Sequence, residues 1–326
     1  MALSHIRQAD LRNGSILRVI REVTANVRGK IIMTGFRGIV SIALLVLIPV
    51  MGFASADCTE AAGEPGESKE STLKIQIAGP SGWTNVWGVA YHDDYDMLYV
   101  GGCPNNEVAY GSYSGGETVV WTVFDTVESV CGFGCYQDDL LFAITQHDPL
   151  NPGPFYLHTW NLTGLGIPIL PAVVYELGEP FTGSMGGCEW DGEYLWIVDQ
   201  NFVIDDDEAI IYKYDVNTHS VVSSWSYSEL GGVGIACVWD AGDLRIWISD
   251  WYGGAKLVEH TDTGALTGQN YDITTSPTDI AYKYELNYDG PGFFVGNHSY
   301  NTVDFYYHTT SNLESGSWGQ IKASFL

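Results

Sequence analysis

One repeat constrains this chain more than any other feature. The stretch Met185-Gly-Gly-Cys-Glu-Trp-Asp-Gly-Glu-Tyr-Leu-Trp-Ile-Val-Asp199 reads as a strand, a tight turn at Asp191-Gly192 and a second strand. Weaker copies run from Gly88 to Gly101, from Gly132 to Thr145, from Gly234 to Asp250 and from Asp279 to Asn297. With Gly88, Gly132, Met185, Gly234 and Asp279 taken as equivalent starts, the steps are 44, 53, 49 and 45 residues. Further strands follow in most copies, as in Ala209-Ile-Ile-Tyr-Lys-Tyr-Asp215 and Ser220-Val-Val-Ser-Ser-Trp225.

A period of roughly fifty residues in which each unit is all strand is the signature of propeller blades. The expected fold is therefore all-β, a β-propeller of five blades with about four antiparallel strands each. Six blades is the alternative count, and a β-sandwich or barrel the alternative architecture. The innermost strands of a propeller crowd around its axis, which suits the small residues Gly134, Gly187, Ala236 and Ala281 in the first strand of their units.

Residues 1–56 read as a targeting segment. Gly38 to Phe53 is apolar, and Ala54-Ser55-Ala56 supplies a small-residue cleavage site. Pro49 breaks the apolar run, which is short beside the ~20 residues of a membrane span; a membrane anchor is the alternative. Met33-Thr-Gly-Phe-Arg37 would make an ordinary leader start, which places the expected true start at Met33. Asp57 precedes Cys58 where lipidation needs a small residue. Residues 57–71 have little apolar bulk and read as a flexible acidic linker. The propeller domain then spans 72–326. Its first segment, Thr72-Leu-Lys-Ile-Gln-Ile-Ala-Gly79, alternates as a strand and is expected to pair with C-terminal strands and close the ring, which removes a free edge.

The formal net charge is −26. The seven basic and two acidic residues of 1–56 leave 7 basic against 38 acidic in the remainder, a net −31. Such a surface excludes nucleic acid and anionic membranes as partners and suits a soluble extracellular protein. All six cysteines follow the cleavage site. Cys135, Cys188 and Cys237 recur in the first strand of three units, where Tyr91 and Tyr282 stand in the others, and read as buried small apolar residues. A three-thiol metal site is the alternative. Cys103 and Cys131 fall at one end of adjacent blades, and a disulfide between them is expected in an exported protein.

If the first strands run away from one face, the second strands return to it. Their ends are Gly101-Gly102, Gln146-His147, Asp199-Gln200, Asp250-Trp251 and Asn297-His298. Polar groups converging at an axial mouth form a candidate ligand site of His147, Asp199, Asp250, Trp251, Asn297 and His298. Asp and Asn also end strands for purely local reasons. Trp251, Tyr252 and Trp83 offer flat faces for sugar rings. Asp205-Asp-Asp-Glu208 is the densest acidic cluster, and Asp205 and Asp207 are candidate Ca²⁺ ligands; a solvated turn is the competing reading. No Gly-x-Ser-x-Gly elbow, His-Glu-x-x-His, phosphate loop or dinucleotide fingerprint occurs. If the chain is an enzyme, Glu189, Asp199 and Asp250 are the candidate acid and base carboxylates. Asn161-Leu-Thr163 and Asn297-His-Ser299 are glycosylation sequons.

The closing run Ser317-Trp-Gly-Gln-Ile-Lys-Ala-Ser-Phe325 is similar to a Ser-Trp-Gly-x-Ile-Lys ending of secreted bacterial repeat proteins, and is most simply the last strand of the last blade. With the blade pattern, the chain resembles secreted bacterial or archaeal β-propeller repeat proteins. The segments Phe181-Thr-Gly-Ser184 and Glu189-Trp-Asp-Gly192 resemble propeller-type glutaminyl cyclases, which share five blades. The Phe-Thr-Gln-Gly-Leu run of those enzymes is absent, and no site residue is carried over. The expected function is an exported, non-catalytic binding or surface-interaction protein whose ligand is a small molecule, a glycan or another surface protein. The alternative is an extracellular hydrolase or lyase acting on glycans, or a cyclase acting on peptides, using the same mouth.

Overall fold

The computed structural model describes residues 69–70, 73–102, 106–125, 129–136, 139–148, 151–181, 184–200, 209–227, 231–251, 254–284 and 290–308. All of them lie in the compact unit Thr59–Leu326. The leader, Cys103, Asp205, Asp207, Tyr252 and the 317–325 run lie outside the described residues, as do the side chains of Cys131, Cys135, Gln146 and His147.

Two short strands come first, β1 (Lys69–Glu70) and β2 (Leu73–Ala78). Four-stranded units follow. The first is β3 (Gly88–His92), β4 (Met97–Gly101), β5 (Glu107–Ser112) and β6 (Thr122–Asp125). The second is β7 (Ser129–Tyr136), β8 (Leu140–Asp148), β9 (Asn151–Asn161) and β10 (Val173–Leu177). The third is β11 (Ser184–Trp190), β12 (Leu195–Gln200), β13 (Ala209–Asp215) and β14 (Ser220–Tyr227). The fourth is β15 (Gly232–Asp240), β16 (Asp243–Asp250), β17 (Lys256–Thr261) and β18 (Leu266–Asp272). The fifth is β19 (Pro277–Lys283), β20 (Gly292–Asn297) and β21 (Thr302–Tyr307), completed by β2, which pairs antiparallel with β21 from Leu73↔Tyr306 to Ala78↔Thr302. β1 adds a parallel fifth strand to the outer edge of blade four, Lys69↔Tyr271 and Glu70↔Asp272.

Strands buried on both faces need apolar side chains at odd and even positions alike, which explains runs such as Leu195-Trp-Ile-Val198. Alternate residues serve alternate neighbours. Trp196 and Val198 pack with Ile235, Ile246 and Ile248 of blade four, whereas Leu195 and Ile197 pack with Phe142, Ile144 and Leu157 of blade two. Among the described residues there are five such clusters, one for each junction between successive blades and one joining blade five to blade one. An open row of five blades would have four junctions; the fifth makes the ring closed. That last cluster contains Ile75 and Ile77 of β2 with Val89, Tyr91, Phe294 and Phe305.

The turns follow the expected chemistry. Ala241-Gly242 joins β15 to β16 with both residues at positive φ, 50° and 93°, the geometry of a two-residue hairpin. At Asp191, Oδ1 accepts the N–H groups of Glu193 and Tyr194, both at 2.7 Å, and Gly192 takes φ 107°. Among the described residues no helix is long and apolar enough to cross a membrane.

Candidate functional site

The axis is built from the first strands of the blades, and glycine sets its width. A Cβ at Gly132 would lie 2.5 Å from Gly187 Cα, and one at Gly234 would lie 2.5 Å from Asp279 Cα. A Cβ at Gly187 would overlap Asp279 Oδ1. Gly88, Gly132, Gly187 and Gly234 therefore occupy one level of the ring with Asp279 as the fifth member. In blade three that residue is Gly187, two past the Met185 that sequence alignment puts there. The offset coincides with a register shift between Met185 and Cys188.

Asp279 fills the space its neighbours leave. It is fully buried. Its Oδ2 accepts the N–H of Val89 from blade one at 3.1 Å and of Phe133 from blade two at 2.9 Å, and its Oδ1 accepts Ile280 N–H at 3.0 Å. The Ile235 N–H of blade four is a further backbone donor to the same carboxyl. Burial pushes the Asp279 carboxyl well above the usual carboxylate range, and these N–H groups pull against that shift. One side chain thus joins four blades.

Above this level lies the mouth. First strands begin and second strands end together there, in the pairs Ser129↔Gln146, Ser184↔Gln200, Gly232↔Asp250 and Pro277↔Asn297, whereas β3 of blade one begins at the hub level itself with Gly88↔Gly101. Blades four, five and one are bound by a polar relay beneath it. Ser249 Oγ accepts Gly234 N–H at 2.8 Å and donates to Thr278 O at 2.9 Å. Thr278 Oγ1 donates to Val86 O at 2.9 Å, and Asp279 N–H donates to Trp87 O at 3.1 Å.

Two of the sequence candidates, Trp251 and His298, meet here, together with a residue that sequence reasoning missed. Their ring centroids are 4.4 Å apart, and Trp87 lies 5.5 Å from His298 and 6.3 Å from Trp251, both edge-on. All three are half-buried. Backbone bonds hold each one: Trp87 N–H to Gly101 O at 2.8 Å, Trp251 N–H to Gly231 O at 3.0 Å and His298 N–H to Ser276 O at 3.0 Å. Burial lowers the His298 imidazole below its ordinary value, so the cluster is uncharged at neutral pH. Trp87 stands immediately before Gly88, and its position beside a first-strand glycine was the available signal.

The acidic and amide candidates sit deeper. Asp250 is wholly buried and accepts Tyr227 Oη at 3.1 Å. Asp199 is buried at the end of β12. Asn297 is buried; its Nδ2 donates to Asp304 Oδ2 at 2.9 Å and its Oδ1 accepts Ser299 N–H at 3.0 Å, which holds the β20–β21 turn. Glu189 is not brought to this group. Met185 pairs with Asp199 but Glu189 pairs with Trp196, three residues farther along, which at about 3.3 Å per residue is ~10 Å deeper. Beside Asp199, Gln200 is 4% exposed, and its amide has no hydrogen-bond partner among the described residues. His147 belongs to β8 at the blade-two side of the mouth. Trp83 is away from the ring cluster in its bonding: its indole donates to Glu107 Oε2 at 2.5 Å. Among the described residues no three of His, Cys, Asp and Glu converge as metal ligands. Cys188 and Cys237 are buried.

No known family pattern matches this chain, and no characterised protein matches it in sequence. Among solved structures it is similar to a calcium-binding protein, regucalcin, from Agrobacterium tumefaciens str. C58, at 12% identity over 77% of this chain and 90% of that one, TM-score 0.42. It is also similar to a luciferin-regenerating enzyme, at 13% identity over 71% and 94%, TM-score 0.40. A chain of a nidogen/laminin complex matches at 12% identity over 69% and 80%, TM-score 0.41. At such distances these likenesses carry no argument about activity.

Proposed function

We propose that the chain is an exported binding protein that takes a glycan at the axial mouth. The observation that carries this reading is the uncharged cluster of Trp87, Trp251 and His298, contributed by three blades and half-exposed at one opening. Aromatic faces suit the apolar face of a sugar ring. The burial of Asp199 and Asp250 supports binding over hydrolysis, since a hydrolytic pair must reach the scissile bond. Export rests on the apolar run and small-residue site of 38–56. Ca²⁺ at Asp205 and Asp207 belongs to the same proposal, resting on the acidic run alone.

An oligosaccharide array followed by titration calorimetry tests this. Trp251→Ala is expected to cost about 2 kcal/mol, roughly thirty-fold in Kd, as for a central aromatic contact. Binding should hold steady above the ordinary imidazole range and weaken as pH falls below it, where His298 becomes charged. Glycan cleavage by the unaltered chain that disappears in Asp250→Asn would replace the binding reading with a catalytic one.

A further inference from the structure

We infer that two copies of this chain associate edge to edge through β10, the outer strand of blade two. A sheet edge presents unpaired N–H and C=O groups, and proteins blunt such edges by cover, short length or polar side chains. The other four blades do so in part, although single valines, Val123 of β6 and Val222 of β14, are 43% and 51% exposed there. Blade four is covered by β1. Blade one ends in the four-residue β6, with Thr122 and Asp125 at its two ends. Blade three ends in β14, which carries Ser220, Ser223, Ser224 and Ser226. Blade five ends in β2, with the exposed Gln76. Blade two ends in Val173-Val-Tyr-Glu-Leu177, and no described strand pairs with its outer side.

One face of β10 carries Val174 and Glu176; the other carries Val173, the buried Leu177 and Tyr175, whose ring lies 4.2 Å from that of His219. Val173, Val174 and Tyr175 are 50%, 48% and 40% exposed, and Ile169 and Leu170, just before the strand, are 49% and 58% exposed. A standard interface buries roughly 800 Å² per partner, so these side chains and the backbone edge supply its apolar centre and not its whole area.

Charge selects the occupant. Residues 149–175 contain no Asp, Glu, Lys or Arg, in a chain whose net charge is −26. Two such acidic molecules repel each other wherever charged surfaces meet, so a stable contact between them needs a face free of charge. A strongly charged partner finds nothing complementary there. An identical strand does: antiparallel pairing about a two-fold axis at Val174 sets Val173 opposite Tyr175 and leaves the two Glu176 side chains at opposite ends.

Sedimentation velocity of the purified chain over a wide concentration range is the test. A reversible dimer is expected, strengthened by added salt because salt screens the repulsion between the acidic bodies. Val174→Lys, which places two like charges face to face, should weaken association by about ten-fold or more. Val173→Lys serves if that variant does not fold. Val123→Lys on the β6 edge should associate as the unaltered chain does. A chain that stays monomeric throughout, a dimer indifferent to both β10 variants, or one broken equally by Val123→Lys would overturn the inference.

Discussion

Asp279→Ala is expected to lose a large part of the stability of the propeller. The alanine leaves the N–H groups of Val89, Phe133, Ile235 and Ile280 buried with no acceptor. Each buried donor left unpaired costs about 1–3 kcal/mol. Relief of the carboxyl group's own burial offsets part of that cost, which leaves a net loss of about 3–6 kcal/mol. Whole domains are stable by only ~5–15 kcal/mol. Asp279→Asn keeps the volume and one acceptor oxygen but turns an amide NH₂ toward N–H donors, so its loss should be smaller yet clear. Urea unfolding followed by tryptophan fluorescence measures both. An alanine variant with the midpoint of the unaltered chain would mean that the carboxyl does not hold the blades together.

A chain beginning at Gly79, lacking β2, is expected not to fold cooperatively. The deletion removes the whole β2–β21 ladder and takes Ile75 and Ile77 from the cluster between blades five and one. Truncating one buried isoleucine costs about 2–5 kcal/mol; here two go together with the backbone pairing that closes the ring. A peptide spanning 72–79 added in trans should restore part of the transition by re-pairing with β21. A chain beginning at Thr72 keeps β2 and, among the described strands, loses only the two-residue β1, so it should unfold close to the full chain. Circular dichroism melts of the three proteins separate these outcomes. A sharp transition in the Gly79 chain would show that closure is dispensable.

Much of this architecture was legible in the residues. The recurring strand pairs identified the blades because every strand is packed on both sides, so apolar runs recur at blade length. The Thr72–Gly79 alternation marked the closing strand because one of its faces is buried, at Ile75 and Ile77. The hub was not legible from the repeat alone. Asp279 stands where the other blades have glycine, and four glycines with one acid is the pattern of a ring with a single plug. Alignment alone also put blade three two residues out of step, because Met185-Gly-Gly187 offers more than one small residue and the bulge decides which faces the axis. At the mouth, strand ends pointed to Trp251 and His298, whose rings the structure brings together. Strand ends do not say which way a side chain turns, and Asp199, Asp250 and Asn297 turn inward. Trp87 lay outside the pattern because it precedes the first strand.

The central claim is that one carboxyl seals the axis and confines any ligand to the mouth above it. Amide hydrogen exchange, read residue by residue in the unaltered chain, tests that claim most directly. Val89, Phe133, Ile235 and Ile280 come from four blades, so if they share one acceptor they should exchange only through global unfolding and be equally protected. Fast exchange at any of these amides, with the surrounding strands protected, would show that the axis is open and that the carboxyl does not join the blades.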